Sequence, residues 1–131
     1  MRVRQLLQLT HVSPKRPYSP WRRAGDFVIL SGQLGVLPDK ETTTFVEGGT
    51  APELRQALAN AATVLAEAGA TLADVVKASL FVLDMREYAA CNEVWLETFS
   101  DPLPTRTAVA VAQLPLGAQA EVELWAYAPE R

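Results

Sequence analysis

A mixed β-sheet covered by two helices, an α+β layer, is the fold class that this sequence predicts. Three observations predict it. Two segments, opening near Thr50 and Asp84, place apolar residues at helical spacing behind helix-start signals. Short runs rich in Val, Ile, Leu and aromatic residues surround them, bounded by Gly, Pro and Asp. Their order along the chain is strands, helix, strand, helix, strand, strand.

The run Phe27-Val28-Ile29-Leu30 follows the turn-prone Gly25-Asp26 and leads into Ser31-Gly32-Gln33. It reads as a buried strand ending in a glycine where the backbone comes close to something. Pro38-Asp39-Lys40 marks a turn, and residues 42–46 supply a short partner strand. Thr50 and Glu53 have capping-box spacing, with Pro52 in the first turn, where its missing N–H costs nothing. Leu54, Leu58, Ala61 and Leu65 form the apolar stripe of this helix; Arg55, Asn60 and Glu67 face water, and Gly69 is the stop. Residues 75–83 form a strand that is almost continuously apolar apart from Lys77 and Ser79. Asp84 and Glu87 repeat the capping-box spacing and open a second helix to about Phe99, with Tyr88, Cys91, Trp95 and Phe99 along one stripe. Pro102 and Pro104 end it. Residues 107–113 and 120–128 are the closing strands, with Leu114-Pro115-Leu116-Gly117 as the turn between them.

A chain of 131 residues fits one domain, spanning residues 1–131. With 49% hydrophobic and 21% charged residues it falls with globular rather than disordered sequences. A net charge of −3, with no run of one sign, leaves no basic face for nucleic acid. Cys91 is the only cysteine, so no intrachain disulfide can form. No stretch approaches a membrane span or a signal-peptide core, and the expected compartment is the cytoplasm. Two helices cover one face of a sheet, yet residues 27–30 and 78–83 are apolar on both faces. Another copy of the chain is the simplest cover for the second face, so an oligomer is expected.

Most reactive side chains have plain structural readings. His11 is the only histidine, so no metal site is expected. Cys91 falls mid-helix on the buried stripe and reads as a packed, inert thiol. Neither a nucleophile elbow nor a phosphate-binding glycine loop is present. Three places carry more. Arg106, in Pro104-Thr105-Arg106-Thr107, stands at a strand entry and can offer its planar fork to a carboxylate. Glu121 and Glu123 are read as pointing to opposite faces of the last strand, one of them toward the buried side, where it needs a partner or a raised pKa. Arg106, on what is read as the adjacent strand, is the candidate partner. The third is Arg16-Pro17-Tyr18-Ser19-Pro20, a rigid segment able to hold a tyrosine over a site.

The ordered set Pro17-Tyr18-Ser19, Ser31-Gly32-Gln33, Val75-Val76-Lys77-Ala78, Asp84-Met85, Cys91-Asn92-Glu93-Val94-Trp95, Pro104-Thr105-Arg106-Thr107, Ala112-Gln113-Leu114-Pro115 and Ala120-Glu121-Val122-Glu123 resembles the RidA/YjgF family over roughly residues 15 to 127. The resemblance implies a chorismate-mutase-like (bacillus-type) α+β fold, with two helices on one face of the sheet. It implies a homotrimer around a central β-barrel, with sites in the clefts between subunits. It also implies hydrolysis of reactive enamines and imines to 2-oxo acids and ammonia, without cofactor or metal. By position, Arg106 resembles the residue that grips the substrate carboxylate, with Thr107 beside it. Glu121 resembles the acid that handles water and protons, Tyr18 the tyrosine that closes the pocket, and Gly32 the glycine that leaves room for substrate. Lys15, Arg16 and Trp21 depart from the family pattern and are expected at the pocket mouth, pointing to a substrate of different size or charge. A non-catalytic trimer that binds small carboxylates is the alternative, as is a pathway-specific deaminase of a larger substrate.

Overall fold

The computed structural model describes residues 16–38 and 42–130. In chain order the elements are β1 (Trp21–Ala24), β2 (Phe27–Leu30), β3 (Gln33–Leu34), α1 (Thr50–Glu67), β4 (Val75–Val82), α2 (Tyr88–Thr98), β5 (Thr105–Ala110) and β6 (Ala120–Tyr127). They form a six-stranded mixed sheet in the order β1-β2-β6-β4-β5, with β3 also paired to β6. Only β4 and β5 run parallel, as strands joined through a helix can.

Alternation along the strands puts the core on one face. In β6, Ala120, Val122, Leu124 and Ala126 are buried, and so are Ala78, Leu80 and Val82 of β4 and Val28 and Leu30 of β2. The stripes of α1 (Leu54, Leu58, Ala61, Leu65) and α2 (Cys91, Val94, Trp95) pack onto them. Phe27, Ile29, Phe81, Trp125 and Tyr127 alternate with this set and lie on the open face.

Several elements differ from the sequence reading for local reasons. The strand β1 goes unrecognised because Trp21-Arg22-Arg23-Ala24 lacks an apolar run; the two-residue Gly25-Asp26 loop, with Gly25 at φ +58°, is its hairpin signal. Residues 42–46 form no strand: they meet Gly35–Leu37 through a single Val36–Phe45 bridge, with Leu37 N–H donating to Thr44 O (2.7 Å) and Val46 N–H to Gly35 O (3.0 Å). The last two strands are no hairpin, because β4 lies between β5 and β6.

The capping boxes also resolve differently. Gly49 caps α1, so Glu53 falls one position too late, and its N–H bonds Gly49 O at 3.1 Å. Its buried carboxylate instead accepts the Gln119 N–H (2.8 Å), tying the helix to the approach of β6. Asp84 accepts the Arg86 N–H (2.9 Å) and pairs with the Arg86 guanidinium, capping a short 3₁₀ turn, Met85–Glu87, that precedes α2. Gly69, at φ +80°, ends α1 as expected; Ala70 N–H returns to Leu65 O (2.9 Å). Asn60, expected to face water, donates to Leu34 O (2.9 Å) and Val36 O (2.8 Å) and clamps the β3 segment onto the helix.

That clamp brings backbone against backbone. A Cβ on Gly35 would stand 2.6 Å from the Glu53 Cα, where no flexible side chain can give way. Gly35→Ala is therefore expected to cost about 1–3 kcal/mol, through overpacking between helix and sheet. Urea denaturation would read this as a lowered midpoint, and an unchanged midpoint would mean that α1 can move outward freely.

Candidate active site

The Arg106 side chain is held on the helix side of the sheet. Its β4 neighbour is Ala78, which is buried in the core, and residues opposite each other across paired strands share a face. The guanidinium lies 4.9 Å from the centroid of the Trp95 ring and 5.5 Å from that of Tyr88. Its Nη2 donates to Asn92 Oδ1 (2.8 Å) and to the Tyr88 hydroxyl (3.1 Å). A solvated strand-end arginine would sweep through many rotamers; this one is stacked and bonded, so its fork is fixed before any ligand arrives. Tyr88, Asn92 and Trp95 fall on one face of α2 at spacings of four and three residues. Sequence reasoning took Tyr88 and Trp95 as core and gave Asn92 no role. Their shared helical face, opposite an arginine-bearing strand, was the available signal.

Thr107 points the other way. It lies across from Ser79, which lies across from Glu123, on the open face. It does not stand beside the guanidinium.

Glu121 and Glu123 also occupy the open face, and here the sequence reading is corrected. Residues two apart on a strand point to the same side, and both glutamates alternate with buried Ala120, Val122 and Leu124. The expected pairing with Arg106 is overturned as well: β4 separates β5 from β6, and the guanidinium is on the opposite face. Glu121 instead lies against the backbone of Gly32. A Cβ there would collide with the carboxylate, with Glu121 Cδ only 2.8 Å away. Burial pushes the Glu121 carboxyl above its usual range, and the neighbouring Glu123 charge pushes in the same direction.

The segment carrying Tyr18 is tied to the residue before that glycine. Ser31 N–H donates to Pro20 O (3.0 Å), and Ser31 Oγ donates to Ser19 O (2.6 Å). Tyr18, Ser19, Arg22, Ile29 and Ser31 line an open groove of about 450 Å³. The structure thus brings Tyr18, Gly32 and Glu121 into one region and leaves Arg106 in another. Trp21, paired with Leu30, packs against the core on the helix side. Arg22, Arg23 and Ala24 are the residues of that strand that line the groove, Arg16 is exposed, and Lys15 and His11 lie outside the described residues.

The other candidates remain inert. Burial raises the Cys91 thiol pKa above its usual value, with the Glu87 charge adding to the effect, which leaves little thiolate. Among the described residues no group of three His, Cys, Asp or Glu could hold a metal ion, and no helix is long and apolar enough to cross a membrane.

Comparison with known proteins places this geometry. Residues 9–128 match the family described as Endoribonuclease L-PSP. A 2-iminobutanoate/2-iminopropanoate deaminase of the mite Dermatophagoides farinae is 38% identical over 110 residues, covering 84% of each chain. The crystal structure of RidA from an Antarctic Psychrobacter superposes with a TM-score of 0.79 at 36% identity, over 88% of this chain and 91% of that one. Escherichia coli TdcF, solved with bound serine, gives 0.77 at 30% identity, over 87% and 90%. A mixed sheet with two helices on one face, the ordered motifs and the match over nearly the whole chain agree, and the chain belongs to the Endoribonuclease L-PSP family, the RidA group.

Proposed function

We propose that this protein hydrolyses small 2-imino acids and their enamine tautomers to 2-oxo acids and ammonia, in sites formed between identical subunits. The observation that carries the reading is the division of the candidate residues. A preorganised arginine fork faces the helix side at β5, while a carboxylate with a raised pKa faces the open side at β6. Within one chain the two face opposite sides of the sheet; a second copy can bring one of each to the same small molecule. The apolar open face, with Phe27 packed edge-on against Trp125 and Tyr127 and Lys77 over the Trp125 ring, gives that copy a surface to cover. A homotrimer closing these faces into a barrel satisfies both requirements. The names of the mite deaminase and of the bacterial RidA support the reaction, and the serine bound to TdcF supports a ligand of amino-acid size. A cytoplasmic setting fits the single unpaired cysteine.

In this reading Arg106 grips the substrate carboxylate through two parallel N–H bonds and so fixes the imine carbon. Glu121, as the carboxylate, takes a proton from the water that attacks that carbon. It returns that proton to the nitrogen, giving the carbinolamine; it then takes the carbinolamine hydroxyl proton and passes it to the amine as the C–N bond breaks, releasing ammonia and the ketone. Gly32 and the Ser31 backbone form the wall behind the carboxylate, and Tyr18 reaches over the opening. The family description names a ribonuclease, but a net charge of −3 gives an RNA backbone little to bind.

Three outcomes test the reading. Imine generated in situ from 2-iminobutyrate precursors should disappear faster with wild type. Arg106→Lys should lose most of that rate because a point charge cannot replace the fork, and Glu121→Gln should lose about 10²–10⁴-fold while still binding 2-oxobutyrate. Binding without turnover in the wild type would identify a carboxylate-binding module instead.

The pH profile gives the second. Glu121 must be ionised to accept a proton, so activity falls as pH drops through its raised pKa. The acid limb of kcat/KM should lie above the ordinary glutamate value of about 4.3. Glu123→Gln removes the smaller of the two causes and should move the limb partway down in pH; a limb that stays in place would exclude Glu121 as the base.

The third uses two dead variants. Co-refolded in equal amounts, Arg106→Ala and Glu121→Gln chains should regain activity, with about a quarter of the sites inheriting an intact half from each neighbour. A mixture as inactive as its components would place each site within one chain.

A further inference from the structure

The hydrogen-bond pattern of the guanidinium carries one step more, resting on the reading of Arg106 as the carboxylate donor. A guanidinium can hold a carboxylate with two parallel bonds either end-on, through Nη1 and Nη2, or side-on, through Nε and Nη2. Both arrangements need an Nη2 hydrogen. Nη2 has two, and in this structure Nη2 donates both to Asn92 Oδ1 (2.8 Å) and to the Tyr88 hydroxyl (3.1 Å). Among the described residues Nη1 and Nε make no bond. The fork is therefore occupied at the nitrogen that every bidentate grip requires, and one of its two partners must leave.

We propose that Tyr88 is that partner: its hydroxyl is a placeholder on the arginine that a substrate carboxylate displaces, so Tyr88 sets the affinity for carboxylate. Three observations select it over Asn92. Its bond is the longer of the two. Its side chain is 41% exposed, whereas Asn92 is partly buried, so it can swing outward without opening the core. The guanidinium also keeps the Trp95 face, 4.9 Å away, and the Asn92 bond when the hydroxyl goes, and so stays aimed. Asn92 and Trp95 act as positioning residues, while Tyr88 competes with the ligand.

The test separates this from the deaminase reading. Binding of 2-oxobutyrate by calorimetry and KM for 2-iminobutyrate would be measured for wild type, Tyr88→Phe, Asn92→Ala and Arg106→Ala. Phenylalanine keeps the ring over the guanidinium and removes only the competing oxygen. Tyr88→Phe should bind 2-oxobutyrate about two- to tenfold more tightly and lower KM by a similar factor, the range expected for one lost hydrogen bond. Asn92→Ala should weaken binding, and Arg106→Ala should abolish it. Unchanged or weaker binding in Tyr88→Phe, with turnover still dependent on Arg106, overturns the placeholder and leaves the deaminase standing. Tighter binding in Asn92→Ala instead would assign the displaced bond to Asn92. Binding in wild type that is indifferent to Arg106 overturns the proposal and the carboxylate role together.

Discussion

The rest of this structure depends on the two-residue period of β6. This strand lies at the centre of the sheet, with β2 and β3 on one side and β4 on the other, and the helices cover only one of its faces. Ala120, Val122, Leu124 and Ala126 must therefore all be apolar, because each is buried beneath α1 or α2. The alternate positions are released from that demand and carry Glu121, Glu123, Trp125 and Tyr127. A slip of one residue would bury two carboxylates and expose four core side chains, so the register is strongly specified. The same alternation, passed through β4 to β5, sends Arg106 to the helix side and Thr107 to the open side.

Two opposite electrostatic devices follow from that partition. Arginine tolerates partial burial because its charge is delocalised and its faces can lie on aromatic rings, so the helix side can hold Arg106 against Trp95 and Tyr88 without a counter-charge. A carboxylate has no such option. On the open face Glu121 loses water and gains the Glu123 charge nearby, with no cation among the described residues bonded to it, and its proton is held more tightly as a result. The arginine keeps a constant charge and a fixed direction, and the glutamate a raised pKa. Separating them across the sheet prevents the ion pair that would cancel both properties.

How much of this could be read from the chain varies with how local each determinant is. The helix stripes and the Gly69 stop follow from spacing within one element, and α1, β2, β4 and β6 lie where their periodicities put them. The strand β1 hides because half its residues are arginine, and one of them, Arg23, is fixed by partners far away in sequence, the carbonyls Ala128 O (2.7 Å) and Ala68 O (3.1 Å) and the Glu130 carboxylate (3.9 Å). Glu53 has capping-box spacing, but its partner is a backbone N–H 66 residues away, which no local rule can find. The supposed Arg106–Glu pair fails for a topological reason: strands consecutive in sequence were taken as neighbours, and a crossover put β4 between them. Legible clues that went unread were the Gly25-Asp26 hairpin loop, the two-residue period that puts Glu121 and Glu123 on one face, and the shared helical face of Tyr88, Asn92 and Trp95.

Gly32 gathers the open-face chemistry into one unit. Its missing side chain makes room for part of the protein itself, since a Cβ would occupy the position of the Glu121 carboxylate. Any larger residue would force that side chain to turn away, changing both where the carboxylate sits and how deeply it is buried, and burial is the main cause of its raised pKa. The preceding residue, Ser31, uses its N–H and its hydroxyl to fasten residues 19 and 20, and through them the Tyr18 arm. The glycine wall and the anchor of the tyrosine arm thus share one short stretch of backbone between β2 and β3, and the Glu121 carboxylate from β6 lies against it. A shift of that stretch would carry the glycine and the tyrosine arm together and would change how deeply the carboxylate lying against it is buried.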